Sequence, residues 1–235
     1  MRFDTIIIGG GLSGLVAGIE LVRKGQKCLI VSSGQSALHF FSGSFELYEK
    51  DENPLKAIVG LDAAHPYTKL GVERVEALTS RVKPFFAEIG LNFKGDASAN
   101  HWRMTPLGVM KRAWLTLDEY ATFESAEQMP WKKVCILNID GFLDFHTSYI
   151  AAALEQKGVE TTVASLSAPQ FDKLRENPTE MRSTNISKVI IGDFVQALAA
   201  QINEKAAGAE VVLMPAVAGL TSTVEVQRLK ELVNV

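Results

Sequence analysis

Asp4-Thr5-Ile6-Ile7-Ile8-Gly9-Gly10-Gly11-Leu12-Ser13-Gly14-Leu15 decides the fold. Thr5 to Ile8 is a short β-branched run suited to a buried parallel strand. Gly9, Gly11 and Gly14 follow at the G-x-G-x-x-G spacing, and each answers a separate need. The first permits a tight turn out of the strand, the second lets the backbone approach a pyrophosphate, and the third lets the next helix pack closely on the sheet. Leu15, Ile19 and Val22 then recur at helical spacing, which predicts a helix to about Lys24 with an apolar face toward the strand. A helix starting here aims free N–H groups and the positive end of its dipole at whatever lies above the turn, an arrangement suited to phosphate. A secretory signal is excluded by Asp4 in the would-be basic region and by three consecutive glycines.

Working outward, Lys27 to Val31 reads as the second parallel strand. A dinucleotide site places an Asp or Glu at the end of that strand to hold the adenosine ribose, but here stand Ser32 and Ser33. Neither serine can accept two ribose hydroxyls as a carboxylate does. A cofactor with phosphate but no adenosine, such as FMN, loses nothing by this, whereas NAD, NADP and FAD lose a contact. The residues alone leave FMN, a weakened FAD site and a turn that binds nothing all open. Gly34-Gln35-Ser36-Ala37-Leu38-His39-Phe40-Phe41-Ser42-Gly43-Ser44-Phe45 interleaves small polar residues with aromatics, as suits a loop that meets a flat ligand.

The 235 residues, 47% of them hydrophobic, suffice for one large or two modest domains. A net charge of −3 from 24 basic and 27 acidic residues gives no electrostatic case for nucleic acid. No run of about 18 residues is apolar without glycine or charge, so membrane association is expected only through a partner. Cys28 and Cys135 lie in apolar runs, in the manner of small buried hydrophobes, and point to a reducing cytoplasm. His39, His65, His101 and His146 are scattered, so no metal site is expected, and no G-x-S-x-G elbow supports a hydrolase.

Residues 49 to 70 are polar and broken by proline, and Gly71 to Ile89 predicts a helix bent at Pro84. Leu91 to Phe93 and His101 to Thr105 predict a hairpin. Arg103, Lys111 and Arg112 fall within ten residues and form a candidate contact for a phosphorylated substrate or an acidic partner. Lys133 to Ile139, Thr147 to Lys157 and Val159 to Leu166 read as strand, helix and strand of a second parallel unit. A polar link between Pro169 and Pro178, a helix from Asn185 to Lys205, a strand from Glu210 to Met214 and a helix from Val224 to Leu232 complete the pattern. The expected architecture is α/β: a Rossmann-like parallel sheet of the FAD/NAD(P)-binding type, formed by 1–45 and 131–235, with a mixed α+β insertion at 46–130.

Gly9 to Gly14, Gln35 to Phe40 with Ser42-Gly43-Ser44, Ala64-His65-Pro66-Tyr67, Thr105-Pro106-Leu107-Gly108, Gly141-Phe142 with Asp144-Phe145, and Leu213-Met214-Pro215-Ala216 together resemble the B subunit family of anaerobic glycerol-3-phosphate dehydrogenase. The resemblance implies a flavoprotein subunit with FMN, working beside an FAD-bearing catalytic A subunit and an iron–sulfur C subunit at the inner face of the cytoplasmic membrane. It implies oxidation of sn-glycerol 3-phosphate to dihydroxyacetone phosphate, with electrons passed through quinone toward fumarate or nitrate. The cofactor residues would be Gly9, Gly10, Gly11, Leu12, Ser13, Gly14, Ser32, Ser33, Gln35, Ser36, Ser42, Gly43 and Ser44. No residue stands out as a general base. Members of that family are longer, and their C-terminal part supplies a late glycine-rich strand that closes the flavin site. Two alternatives stay open: a flavin-free assembly subunit, and another flavin oxidoreductase sharing the N-terminal fold.

Overall fold

The computed structural model describes residues 2–34, 36–219 and 223–235. The chain divides into two compact units, Met1–Ser44 and Phe45–Val235.

In the first unit, β1 (Thr5–Ile8) pairs in parallel with β2 (Cys28–Val31), in register from Thr5 opposite Cys28 to Ile8 opposite Val31. Between them runs α1 (Leu12–Arg23). The helix face turned to the sheet differs from the expected one. Gly18 is the buried residue of α1, and a Cβ there would stand 3.1 Å from Ile30 and 3.4 Å from Ile7. Small residues let the helix lie close, and the Leu15, Ile19 and Val22 stripe points away and is exposed. On the opposite sheet face Ile6 and Ile8 are also exposed, Ile8 by 89%. The unit closes with a 3₁₀ turn at Ala37–Phe40, and its boundary falls inside β3 (Ser44–Phe45).

The second unit begins with short helices: α2 (Pro54–Ile58), α3 (Pro66–Leu70), α4 (Val72–Thr79) and α5 (Val82–Ala87). Pro54 and Pro66 each open a helix, capped by Asn53 and His65, where the missing N–H costs nothing. The expected helix over Gly71–Ile89 is broken at Ser80 and Arg81, not at Pro84. Pro84 is the third residue of α5, within the first turn, whose donors have no intrahelical partner.

The expected hairpin of Leu91–Phe93 with His101–Thr105 does not form. β4 (Phe93–Lys94) pairs instead with β7 (Leu115–Leu117), and β5 (His101–Met104) pairs with β6 (Met110–Ala113), both antiparallel. The turn itself exists: the Asp96 carboxylate accepts from the Ser98 backbone at 2.7 Å. These pieces enclose an aromatic core of Phe45, Phe86, Phe93 and Trp114 around Ile58, Val75 and Leu115.

The rest is a three-layer α/β/α arrangement. β8 (Lys133–Ile139) lies between β9 (Glu160–Leu166) and β10 (Val211–Leu213), all parallel. Val134 and Ile136 of β8 meet α6 (Thr147–Glu155) through Ile150 and Leu154. Cys135, Leu137 and Ile139 face the opposite way, into a larger core with α7 (Pro169–Arg175), α8 (Ser183–Val189), α9 (Asp193–Lys205) and α10 (Thr223–Leu232). The strand, helix and strand read at 133–166 are thus present, as are the strand and helix near the end. Two readings are corrected. The polar link after Pro169 is largely helical, with Phe171 fully buried, and the helix expected over Asn185–Lys205 is broken at Gly192, whose φ is +58°.

Candidate functional site

The glycine turn is built as its spacing requires. Gly9 adopts φ +111°, a value that side chains resist, and its N–H donates to the Val31 carbonyl at 2.8 Å, which ties the turn to the end of β2. A Cβ on Gly14 would stand 2.1 Å from the Gly9 carbonyl oxygen, so helix and turn are as close as glycine permits. A Cβ on Gly11 would meet nothing within 4 Å, so the backbone above the helix start is open. Gly11 caps α1 with no side-chain hydrogen bond, and no acidic residue lies in the first turn of the helix. The first amide satisfied within the helix is that of Leu15, donating to Gly11 at 3.0 Å. The N–H groups of Leu12, Ser13 and Gly14 therefore stand without a protein partner among the described residues. A cradle that is open, uncapped and free of carboxylate fits a phosphate.

Ser32 lies directly beside this turn: a Cβ on Gly10 would come within 2.8 Å of its Oγ. Ser33 is exposed next to it. Ser36 is engaged locally, its Oγ accepting from the Leu38 N–H at 3.2 Å at the start of the 3₁₀ turn. Ser42 and Ser44 pair with each other at 3.4 Å across Gly43, whose φ is +79°. Gln35 lies outside the described residues, as do the side chains of His39 and Phe40.

The basic residues of the second unit do not converge. Arg103 and Lys111 are cross-strand partners and share one face of the β5–β6 hairpin, while Trp102 and Arg112 are partners on the other. Arg103 is buried, 5.6 Å over the Tyr120 ring, and burial disfavours its charged form. Lys111 pairs with Glu46 at 3.0 Å and Glu49 at 3.3 Å, and these bonds raise its pKa. Arg112 stacks 4.4 Å over Trp102 and donates to the Lys50 carbonyl.

Two polar features here carry no local sequence signal, because their partners lie far along the chain. The Asn100 amide donates to the Tyr48 and Asp51 carbonyls at 2.8 and 2.7 Å, and its own buried Oδ1 has no partner among the described residues. His101 Nε2 and the fully buried Thr116 hydroxyl are 2.7 Å apart. Burial, with the nearby charges of Lys94 and Arg103 adding, holds the His101 imidazole below its ordinary pKa. Burial likewise lowers Lys94, against the opposing pull of Asp118. Among the described residues no group of His, Cys, Asp and Glu is placed to hold a metal ion, and no helix is long and apolar enough to cross a membrane.

A family model for the FAD binding domain matches residues 4–234. The chain belongs to the FAD-binding-domain family. The α/β class expected from the glycine turn, with parallel sheets, is that of this family. Its named ligand lends no support to FMN over FAD. The chain is also similar to proteins named as the B subunit of anaerobic glycerol-3-phosphate dehydrogenase. It is 40% identical to that of Yersinia enterocolitica over all of this chain and 58% of the relative. It is 37% identical to that of Pectobacterium atrosepticum and 38% identical to that of Haemophilus influenzae, each over 94% of this chain and 55% of the relative. These relatives bear out the resemblance stated above, and the FAD-binding-domain chain spans somewhat over half of their length. No solved structure matches it.

Proposed function

We propose that the first unit holds the phosphate of a flavin at the N-terminus of α1, and that the chain serves as the flavoprotein subunit of a respiratory glycerol-3-phosphate dehydrogenase. The observation that carries this reading is the uncapped helix start above Gly9 and Gly11, where three amides have no partner among the described residues and the first turn holds no acidic residue. A flavin, when bound, supplies two-electron acceptance and stepwise electron release. The chain's own residues would bind and orient: Gly9 shapes the turn, Gly11 admits the phosphate, and the Leu12, Ser13 and Gly14 amides hold it. The reading extends to Ser42, Gly43 and Ser44 as neighbours of the ring. It favours FMN, because Ser32 stands where an adenosine ribose looks for a carboxylate.

The names of the relatives, each the B subunit of an anaerobic glycerol-3-phosphate dehydrogenase, support a place among other subunits in the oxidation of glycerol 3-phosphate. From the resemblance the reading extends to dihydroxyacetone phosphate as product, relay of electrons toward quinone, and work beside an FAD-bearing A subunit and an iron–sulfur C subunit at the cytoplasmic face of the membrane. Arg103, Lys111 and Arg112 enter as substrate or partner contacts, Lys111 by exchanging Glu46 and Glu49 for an incoming phosphate. The test is a visible spectrum of the purified chain, then heat release and chromatography against FMN and FAD. Stoichiometric FMN is expected. FAD would correct the reading of Ser32, and a chain that stays colourless after incubation with FMN and with FAD would replace it with a flavin-free assembly role.

A further inference from the structure

The sheet of the second unit ends at β9, and that edge is open. The Glu160 N–H donates to the Lys132 carbonyl across the ladder, so Glu160, Thr162, Ala164 and Leu166 turn their backbone groups toward β8. Thr161, Val163 and Ser165 turn theirs outward. Among the described residues none of these outward N–H and C=O groups has a protein partner. Proteins ordinarily blunt such an edge with lysine, proline, a bulge or shortness. β9 has none of these: it runs for seven residues in unbroken register with β8, uncharged after Glu160, with Val163 51% exposed.

We propose that this edge pairs antiparallel with the same edge of a second copy of the chain, across a two-fold axis at Val163. The strand is complementary to itself in that arrangement and in that register. Thr161 falls opposite the second copy's Ser165, Val163 opposite its counterpart, and Ser165 opposite the second copy's Thr161. Each pair exchanges two backbone hydrogen bonds, since these are the residues whose groups point outward. The side chains agree: a β-branched pair at the centre and a Thr–Ser pair on each side, both favourable across strands. Thr161 donates its hydroxyl to Glu155 at 2.6 Å and keeps lone pairs to accept from Ser165. On the other face Thr162 meets Ala164. Glu160 is already paired with Lys133 at 3.3 Å and falls opposite Leu166, so no like charges meet. The interface is isologous and closes as a dimer, joining two three-stranded sheets into one of six strands. Strand pairing buries less than a standard interface, so the dimer is weak and depends on concentration.

The experiment is sedimentation equilibrium and light scattering of the full chain from about 1 to about 300 μM, a range that spans weak association, beside Val163→Pro and Val163→Lys. Both substitutions remove the pairing without touching a ladder bond to β8, because the Val163 N–H points outward. The wild-type mass should climb from 25.6 kDa toward twice that value, and association should weaken at least tenfold in either variant whose circular dichroism matches wild type. A wild-type chain that stays monomeric throughout overturns the proposal, including one whose edge is taken only by another protein. So does a dimer that a folded variant leaves intact; should the proline variant not fold, the lysine variant decides.

Discussion

Gly11 and Gly14 sit three residues apart in one turn and answer to different physics. Gly14→Ala would drive a methyl into the Gly9 carbonyl, so we expect a loss of about 1–3 kcal/mol and a disordered turn, read as a lower urea midpoint. Gly11→Ala meets no protein atom, and its φ of −76° suits alanine, so unfolding should be unchanged while bound flavin falls. Equal flavin content in Gly11→Ala and wild type would remove Gly11 from the phosphate site. At His101 the lowered pKa has a sign. The unfolded chain takes up a proton near its ordinary value of 6.5, and the folded chain resists it, so stability falls as the pH drops through that window. His101→Gln should lose less stability than wild type between about pH 7.5 and about pH 5. Parallel pH profiles in urea titrations would contradict this. Gly9 and Gly14 were legible because local backbone geometry demands them, and Gly11 because the motif's spacing reserves that place for the approach of a phosphate. The environment of His101 was not, since Thr116 and Lys94 reach it only after distant strands have paired.

At the scale of elements, apolar cores set the energetic hierarchy. Phe171 of α7 is fully buried in the larger core, with its ring edge-on to Phe194 at 5.3 Å. Phe171→Ala should cost about 3–5 kcal/mol, measured by chemical denaturation, whereas a substitution in the exposed Leu15, Ile19 and Val22 stripe of α1 should cost far less. Gly192, at the break between α8 and α9, has a left-handed φ, so Gly192→Ala should destabilise by about 1 kcal/mol despite open space around it. Strands with a strong apolar run, such as Lys133 to Ile139, were readable because burial on both faces leaves only one solution. The helix breaks were not, because Ile186, Ile190, Phe194 and Leu198 recur every four residues across Gly192 and periodicity cannot see a reversal of φ. The pairing of the two-residue strand β4 is hidden for a related reason: its partner β7 is chosen by tertiary packing, not by the nearest turn. The basic cluster of Arg103, Lys111 and Arg112 was legible as composition only, since pairing in the hairpin deals its members onto opposite faces.

Across the whole molecule, the three cores belong to the second unit, and the first rests on two four-residue strands and one helix. Limited proteolysis should therefore open residues 1–44 first. If the turn there holds flavin, saturating FMN should protect that region, by about 2.7 kcal/mol at a hundredfold excess over its dissociation constant. Protection of the second unit alone would place the cofactor elsewhere. The exposed side chains of Ile6, Ile8, Ile19 and Val22 bear on biosynthesis as well. These residues leave the ribosome before the second unit does, and two strands with one helix are too little to stand alone in water. For the seconds that translation of the remainder takes, this segment is a greasy intermediate, a client for holdase chaperones. Yield of folded protein in the cell should then track chaperone supply and growth temperature more steeply than the stability of the finished fold would suggest.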